Sequence, residues 1–400
     1  MAETSVEWRD LQAEVETTLR ETFGDIRATV RKNLAALVIG LVMVLRTPRG
    51  WYGRLSLSGI SRAMPTRGQV AARYKRLHRF LDNTHFRTEQ LSSGLLRLAA
   101  GESCPSLVPV LVDQTAVGDI QVLTGSYPVE GRAIPLAMAT FEYGELPSSQ
   151  NRLEEDFLRR LAGGLPREVR FVWVMDRGYG RASLLALCRQ EQWLFVIRGR
   201  ATVTVEYQEE GKVKRASLGR LPHRQGVACR YRKVLYQGTK KERIDIIVYR
   251  EKGFKEPWFL LVPADSEEML PTDAVVQLYR SRMRIETSFR DFKSWLGVRG
   301  LRLKVRKAER LNRLLTGLAL GYILLLALGA GRLAQQLRRE LEILRKHARH
   351  GTRRTLSRLF VALLVVTDPL LLSLSNLTQM IKDCLLALRC GQATKVAIPV

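Results

Sequence analysis

The spacing of apolar and polar residues divides the chain into three parts. Residues 1–105 have the periodicity of helices and include an apolar run from Leu34 to Leu45. From about Ser106 the pattern changes to short runs rich in β-branched residues, which predict strands. After about residue 300 the apolar positions follow a helical period again. The pattern therefore predicts an α/β region flanked by two helical regions.

The central region begins with consecutive strands and continues as an alternation of helices and strands. Its predicted elements are strands at Leu107 to Val112, Asp119 to Ser126 and Arg132 to Phe141, a helix near Gln150 to Leu161, a strand at Val169 to Met175, a helix at Arg181 to Gln192, and a strand at Trp193 to Arg198. Residues 199–271 then alternate apolar and polar positions, which predicts a β-rich insertion. Its strands are expected at Ala201 to Tyr207, Val213 to Ser217, Gly226 to Tyr236, Ile244 to Tyr249 and Trp258 to Val262.

Two aspartates close predicted strands of this region. Asp113 follows the run that begins at Leu107, and Asp176 follows the run that begins at Val169. The carboxyl ends of strands are where ligands bind in open α/β sheets, so both acids are candidates for a site. The alternative is that each is only a turn former or a helix cap.

A predicted helix from about Asp273 to Trp295 carries a narrow polar stripe. At about 100° per residue, Tyr279, Arg282, Glu286 and Lys293 fall within an arc of about 60°. An apolar stripe runs beside it and would dock the helix on a core; its members are Leu278, Ile285, Phe289, Phe292 and Leu296. The alternative for the polar stripe is ordinary helix charge, with Arg282 pairing Glu286 at i,i+4.

The spacing of these four polar residues resembles the Tyr-Arg-Glu-Lys motif of a branch of the DDE insertion-sequence transposases, which move DNA by a cut-and-paste route. Asp113-Gln-Thr115 and Asp176-Arg-Gly-Tyr179 are similar to the first and second acid motifs of that family. The resemblance implies an RNase-H-like catalytic domain, and the β-rich insertion between Asp176 and Glu286 is typical of the same branch.

Three carboxylates from two strand ends and a helix form a hard-oxygen set that suits a divalent cation. Mg²⁺ is commonly held by one or two carboxylates together with substrate phosphate oxygens. By resemblance, Asp113, Asp176 and Glu286 would hold two Mg²⁺ ions, with Mn²⁺ able to substitute, about 3.5 to 4 Å apart.

The remaining polar residues of the motif are candidates for contact with DNA. Arg282 and Lys293 would point two cations at the same cleft as a phosphate clamp. Tyr279 could donate a hydrogen bond to a phosphate or could cover the edge of the core. Trp258 lies in the insertion, where related hairpin-forming transposases stack a flipped base on a tryptophan; burial in a sheet face is the alternative.

The charge of the chain favours a polyanionic partner. It has 65 Lys and Arg against 39 Asp and Glu, a formal net charge of +26, and this excess is the pattern expected of a protein that binds nucleic acid. Membrane-surface or RNA binding would fit the charge equally well. Two stretches are strongly basic, Arg46 to Arg79 and Arg299 to Arg354. They are candidate DNA-contact surfaces, and the alternative is that they are solvated helix faces.

Within the N-terminal region, the sequence predicts two short helices joined at Pro65. One covers Leu57 to Met64 and the other covers Thr66 to Leu77. The pair fits either a helix-turn-helix that binds DNA or a plain helical hairpin. The N-terminal domain binds the element ends in the family that the chain resembles.

A run of 18 residues without charge, Leu314 to Gly331, could just span a bilayer by its length. Because it is rich in Gly and Ala and lacks an aromatic belt, we predict a buried helix, and an integral membrane protein is the competing class. The N-terminus shows no secretory signal, and the five cysteines include no Cys-x-x-Cys pair, so a reduced cytoplasmic protein is expected.

Together these features predict a transposase that cleaves element ends and transfers them into target DNA, by a hairpin route in the family resembled. The predicted divisions are a DNA-binding region at 1–105, a catalytic domain at 106–300 and a helical region at 301–400. Its partners would be double-stranded DNA, as terminal inverted repeats and as target, and a second copy contacted through the C-terminal helices. A catalytically inactive DNA-binding descendant remains an alternative.

Overall fold

The structure is a computed structural model. It describes residues 2–24, 26–46, 55–66, 68–101, 105–146, 148–237, 242–301, 307–349, 352–368 and 370–391. Parts of both predicted basic stretches, namely 47–54 and 67 in the first and 302–306 and 350–351 in the second, lie outside the described residues.

The helices of the described residues lie mainly before and after the central sheet. Those before the sheet are α1 (Ala2–Thr22), α2 (Ala28–Met43), α3 (Leu57–Ala63), α4 (Val70–Leu81) and α5 (Ser92–Ala100). Those between strands are α6 (Gln150–Gly164) and α7 (Ala182–Gln190). Those after it are α8 (Thr272–Ser281), α9 (Met283–Arg290), α10 (Ala308–Ala330), α11 (Arg332–Leu341), α12 (Arg358–Thr367) and α13 (Leu374–Arg389).

The strands of the described residues form one ten-stranded sheet in the order β3-β2-β1-β4-β5-β10-β9-β8-β6-β7. They are β1 (Leu107–Val117), β2 (Ile120–Val129), β3 (Arg132–Phe141), β4 (Arg170–Met175), β5 (Leu194–Arg198), β6 (Thr204–Glu209), β7 (Lys212–Ser217), β8 (Cys229–Tyr236), β9 (Glu242–Tyr249) and β10 (Trp258–Pro263).

The first half of the sheet has the arrangement that the sequence predicts. β1, β2 and β3 pair antiparallel, whereas β4 and β5 run parallel to β1. Parallel strands need crossover connections, and α6 and α7 supply them. The expected α/β fold with flanking helices is thereby confirmed, and the order of three strands, helix, strand, helix and strand is the one expected of an RNase-H-like domain.

The predicted β-rich insertion is also present, and it extends the same sheet. β10 pairs antiparallel with β5, and β9, β8, β6 and β7 follow outward in that order. Each observed strand overlaps the corresponding predicted strand. The insertion is therefore continuous with the sheet that carries Asp113 and Asp176.

The apolar run at Leu314 to Gly331 lies in α10, which packs on β3, α12 and α2. Two helical stretches of the described residues, Ala28–Arg46 and Ala308–Ala330, are long and apolar enough to cross a membrane. Inside the protein, 94% of the apolar window of Ala308–Ala330 is buried, as expected of the predicted core helix.

The two predicted helices around Pro65 are observed as α3 and α4, which pack against each other. The Ser56 hydroxyl caps α3 by accepting a hydrogen bond from the Gly59 backbone N–H. The second helix begins four residues later than expected, at Val70, and continues to Leu81. Whether the pair contacts DNA stays a prediction.

The predicted helix from Asp273 to Trp295 is present, but it is not a regular α-helix along its whole length. The segment is divided into α8, α9 and a π-helical turn at Asp291–Trp295. Around Arg282 the backbone bonds tighten to i→i+3, from the Arg282 N–H to the Tyr279 carbonyl and from the Ile285 N–H to the Arg282 carbonyl. Near the end they widen to i→i+5, from the Leu296 N–H to the Asp291 carbonyl.

Candidate functional site

Asp113 and Asp176 are neighbours at one edge of the parallel pairing between β1 and β4. The register ends at Val112 opposite Met175, so each aspartate is the next residue on its strand. Asp113 does not close β1, as the sequence predicted, because β1 continues to Val117 through its pairing with β2. The two aspartates lie side by side because each directly follows the last residue pair of the parallel β1–β4 register.

The third acid, Glu286, is connected to Asp113 through Arg282. The Arg282 guanidinium donates from Nη1 to Asp113 Oδ2 at 3.0 Å and from Nη2 to Glu286 Oε1 at 2.6 Å. The Arg282 side chain is only 9% exposed, whereas that of Glu286 is 46% exposed. One buried cation thus bridges a strand acid and a helix acid.

The predicted polar stripe comes together only in part. Tyr279 is buried, and its hydroxyl donates to Asp176 Oδ1 at 3.3 Å. Burial raises the pKa of Tyr279 to about 12, so the phenol stays protonated at neutral pH. The Trp258 ring is half-buried and packs edge-on against the Tyr279 ring, with centroids 5.1 Å apart. Asp176, Tyr279 and Trp258 therefore form a continuous wall of the site.

Lys293 does not join this group in the described contacts. It lines a small cavity of about 30 Å³ between the sheet and the end of the helical segment, with Thr115, Phe289 and Phe292 among its neighbours. Burial and the nearby charge of Arg299 lower the pKa of Lys293. The π-helical turn at Asp291–Trp295 departs from the regular 3.6-residue period on which the predicted arc rests, and a contact of Lys293 with DNA stays a prediction.

The electrostatics of the site centre on Asp113. Burial raises the pKa of Asp113, the Gln114 backbone N–H and Arg282 oppose that rise, and the charges of Asp176 and Glu286 add to it. Burial by itself lowers the pKa of Arg282, but the groups around it, which include Tyr279, Asp176 and Asp113, outweigh that effect and raise it. The guanidinium is therefore charged in this setting.

Asp113, Asp176 and Glu286 suit a hard divalent cation in their chemistry, because they supply carboxylate oxygens. The charges of Asp176 and Glu286 also act on Asp113. The geometry is not that of a closed coordination shell. Among the described residues, no group of three or more His, Cys, Asp or Glu side chains is placed to hold a metal ion. The cation between Asp113 and Glu286 is instead the Arg282 guanidinium.

A second polar network, which the sequence analysis did not identify, lies beside Asp113. The Glu154 carboxylate is buried and accepts hydrogen bonds from Arg181 Nη1 at 2.7 Å and from Gln150 Nε2 at 2.9 Å. The same Gln150 nitrogen donates to Gln114 Oε1 at 3.1 Å. This network ties α6 and the start of α7 to β1. The i,i+4 spacing of Gln150 and Glu154 was the available signal, but it also occurs on any exposed helix.

Comparison with known proteins shows what this region is similar to. Residues 145–324 match the family model described as a transposase DDE domain. The matched segment contains Asp176, Arg282, Glu286 and Lys293, and it begins after Asp113.

A solved structure of the piggyBac transposase synaptic complex with hairpin DNA is also similar to this chain. The sequence identity is 10%, the TM-score is 0.42, and the similarity covers 98% of this chain and 84% of that one. No protein with curated annotation matches the chain significantly.

Proposed function

We propose that this protein is a DDE transposase that cleaves DNA at element ends and joins those ends to target DNA. The observation that carries the proposal is the meeting of Asp113, Asp176 and Glu286 through Arg282 and Tyr279. The match of residues 145–324 to the transposase DDE domain supports it independently.

In this proposal, the three acids would hold Mg²⁺ or Mn²⁺, and two bound ions would activate the attacking oxygen and stabilise the leaving oxygen. The chain's own cations position the substrate. Arg282 would bind a phosphate near the cleaved bond, since its planar fork suits a phosphate. Lys293 would bind a phosphate further along the strand. Tyr279 would hold Asp176 in place from within the wall.

The route would be cut-and-paste through a DNA hairpin, with Trp258 stacking on a flipped base. Trp258 is only half-buried, which is consistent with that role, since stacking of a base on an aromatic ring contributes about 1 to 3 kcal/mol. The partners would be the terminal inverted repeats, the target DNA and a second copy of the chain, in the cytoplasm.

The test is cleavage of a plasmid that carries the gene's own flanking ends, in Mg²⁺ or Mn²⁺. We expect Glu286→Gln to reduce cleavage at those ends by about a hundredfold or more, the scale on which single polar groups act in active sites. The matched control is Asp273→Asn, which neutralises an exposed acid in the first turn of α8. The control should cleave as the wild type does.

Equal cleavage by the wild type and by Glu286→Gln would remove Glu286 from the site. Binding of the ends without metal-dependent cleavage in any variant would favour the alternative of an inactive, transposase-derived DNA-binding protein. Recovery of the protein from the membrane fraction only with detergent would favour the membrane alternative.

A further inference from the structure

The guanidinium of Arg282 lies where it competes with a metal ion for the same oxygens. It contacts Asp113 Oδ2 at 3.0 Å and Glu286 Oε1 at 2.6 Å, and its Cζ lies 6.0 Å from the centre of the Tyr279 ring. A divalent cation held between the two carboxylates would compete for these oxygens, since Asp113 Oδ1 already accepts a hydrogen bond from the Gln114 backbone N–H at 2.8 Å. Because guanidinium and metal are both cations, they cannot occupy the space between the carboxylates together.

The Arg282 side chain also has a hydrogen-bond donor that is not used. Its Nε is buried and has no hydrogen-bond partner in the described structure. A guanidinium has five N–H donors and binds a phosphate through a pair of them. A phosphate approaching from the exposed side, where Glu286 lies, would therefore offer Arg282 acceptors in place of the carboxylates.

We propose that Arg282 is an internal counter-cation that keeps the acids closed to metal in the absence of DNA. A DNA phosphate would draw the guanidinium away from Asp113 and Glu286, and the freed carboxylates would then bind the divalent cation. The inference rests on the proposed function, and it adds that metal and DNA bind cooperatively. By linkage, the gain in metal affinity caused by DNA must equal the gain in DNA affinity caused by metal.

The local backbone is suited to such a movement. Arg282 lies at the junction between α8 and α9, where the i→i+3 bonds interrupt the regular helix. The aspartate and the glutamate are held by different elements, β1 and α9, so release of one does not require displacement of the other. The side chain can therefore exchange partners without unfolding either helix.

The experiment measures Mn²⁺ binding by electron paramagnetic resonance and by calorimetry, with and without a short DNA duplex. Without DNA, we expect Arg282→Gln to bind Mn²⁺ about tenfold or more tightly than the wild type, because a competing charge is removed. The duplex should strengthen Mn²⁺ binding by the wild type more than it strengthens binding by Arg282→Gln, because only the wild type also has a competing guanidinium to release. In the presence of the duplex, Asp113→Asn should weaken Mn²⁺ binding.

The matched control is Arg280→Gln, near the end of α8 and two residues before Arg282. Arg280 pairs with Glu251 and Tyr249 rather than with the three acids. Arg280→Gln removes the same charge from the protein as Arg282→Gln does. Because Arg280 does not contact the three acids, this variant should bind Mn²⁺ as the wild type does. Arg282→Lys serves as a second variant should Arg282→Gln fold poorly. Its single ammonium cannot bridge both acids as the guanidinium fork does, so its Mn²⁺ affinity should lie between those of the wild type and the Gln variant.

The outcomes separate this inference from the proposed function. If Asp113→Asn weakens Mn²⁺ binding but the Arg282 variants bind as the wild type does, the acids form a metal site and Arg282 is not its competitor. If Asp113→Asn binds Mn²⁺ as the wild type does, the metal site itself is absent, and the proposed function fails with it.

Discussion

The carboxylate of Asp291 links three elements of the protein behind the candidate site. Arg132 Nε at the start of β3 and the Tyr322 hydroxyl of α10 both donate to its Oδ2, and the side chain is fully buried. Asp291 begins the π-helical turn that follows Glu286 along the chain. We infer that this network positions the helical segment that carries the site.

We expect Asp291→Ala to lower the free energy of unfolding by about 3 to 5 kcal/mol. Removing one partner of a buried ion pair leaves the other without compensation, and here Arg132 and Tyr322 would both lose their acceptor. Urea unfolding of the two proteins measures the difference. A loss below about 1 kcal/mol would show that the network contributes little.

The same residue gives a pH dependence with a defined sign. Burial raises the pKa of Asp291, against the opposing effects of Arg132 and Tyr322. The folded chain therefore binds this proton more tightly than the unfolded chain, whose aspartates have a pKa of about 3.9. The part of the stability that comes from binding this proton is full below that value and is lost as the pH rises through the raised pKa, whereas the contacts with Arg132 and Tyr322 remain. Compared with Asp291→Asn across that window, the wild type should become relatively less stable as the pH rises; the opposite slope would contradict the raised pKa.

At the scale of elements, α10 packs so closely against its neighbours that at some positions only glycine fits. A Cβ on Gly329 would lie 2.2 Å from the backbone carbonyl oxygen of Arg358 at the start of α12. A Cβ on Gly321 would meet only Val42 Cγ2, at 3.6 Å. Because backbone cannot move aside as a side chain can, the two positions should respond differently to the same substitution.

We expect Gly329→Ala to lower the free energy of unfolding by about 1 to 3 kcal/mol, through the shift of α12 that the added methyl group forces. Gly321→Ala on the same helix is the control. It should be neutral or stabilising by up to about 1 kcal/mol, because alanine favours the helix. Thermal and urea unfolding compare the two. Equal stabilities would show that α10 and α12 are not in close contact.

The elements also show what the sequence could and could not predict. The strands of the sheet and the insertion were predicted because β-branched alternation is a local signal. The end of β1 was not, because residues beyond Asp113 are strand only through pairing with β2. The break at Arg282 and the π-helical turn were missed for a similar reason. A regular 3.6-residue period predicts only i→i+4 bonds. The i→i+3 bonds around Arg282 and the i→i+5 bond at Asp291 occur where these residues contact Asp113, Arg132 and Tyr322, which are distant in the sequence.

The residues of the site also show this difference between local signals, which the sequence contains, and long-range contacts, which it does not. Asp113, Asp176, Arg282 and Glu286 were predicted and do come together, because strand ends and i,i+4 positions are fixed by local geometry. The side-chain partners were not predictable, since Tyr279 meets Asp176 across 103 residues of sequence. The place of Lys293 relative to the other three depends on the π-helical turn, which a regular helical period does not contain, and its role stays a prediction.

At the scale of the whole molecule, the net charge is +26. Some of the basic side chains form ion pairs with acids, and others do not. A polar groove of about 510 Å³ runs along α4, lined by Lys75, Arg76 and Arg79 together with Asn33 and Asn83. Among the described residues, neither Lys75 nor Arg79 belongs to an ion pair, whereas Lys214 and Arg232 of the insertion pair with Glu209 and Glu267. The groove is thus a surface with cations available to DNA phosphates.

Under the proposed function, affinity for a generic DNA duplex should fall steeply with salt, and the groove should supply part of that slope. Each phosphate contact contributes about 0.9 to the slope of log affinity against log salt. The double variant Lys75→Ala, Arg79→Ala should therefore have a slope shallower by about 2. Titrations of a fluorescent duplex at several salt concentrations measure the slope for each protein.

The double variant Lys214→Ala, Arg232→Ala removes the same charge from the molecule and separates local contact from the overall field. Because these two cations already pair with acids, they release few counterions from DNA, and their loss should leave the slope near that of the wild type. A slope lowered equally in both variants would mean that the field of the whole chain, rather than the groove along α4, attracts the DNA. A slope unchanged in both would place the phosphate contacts on another basic surface of the protein.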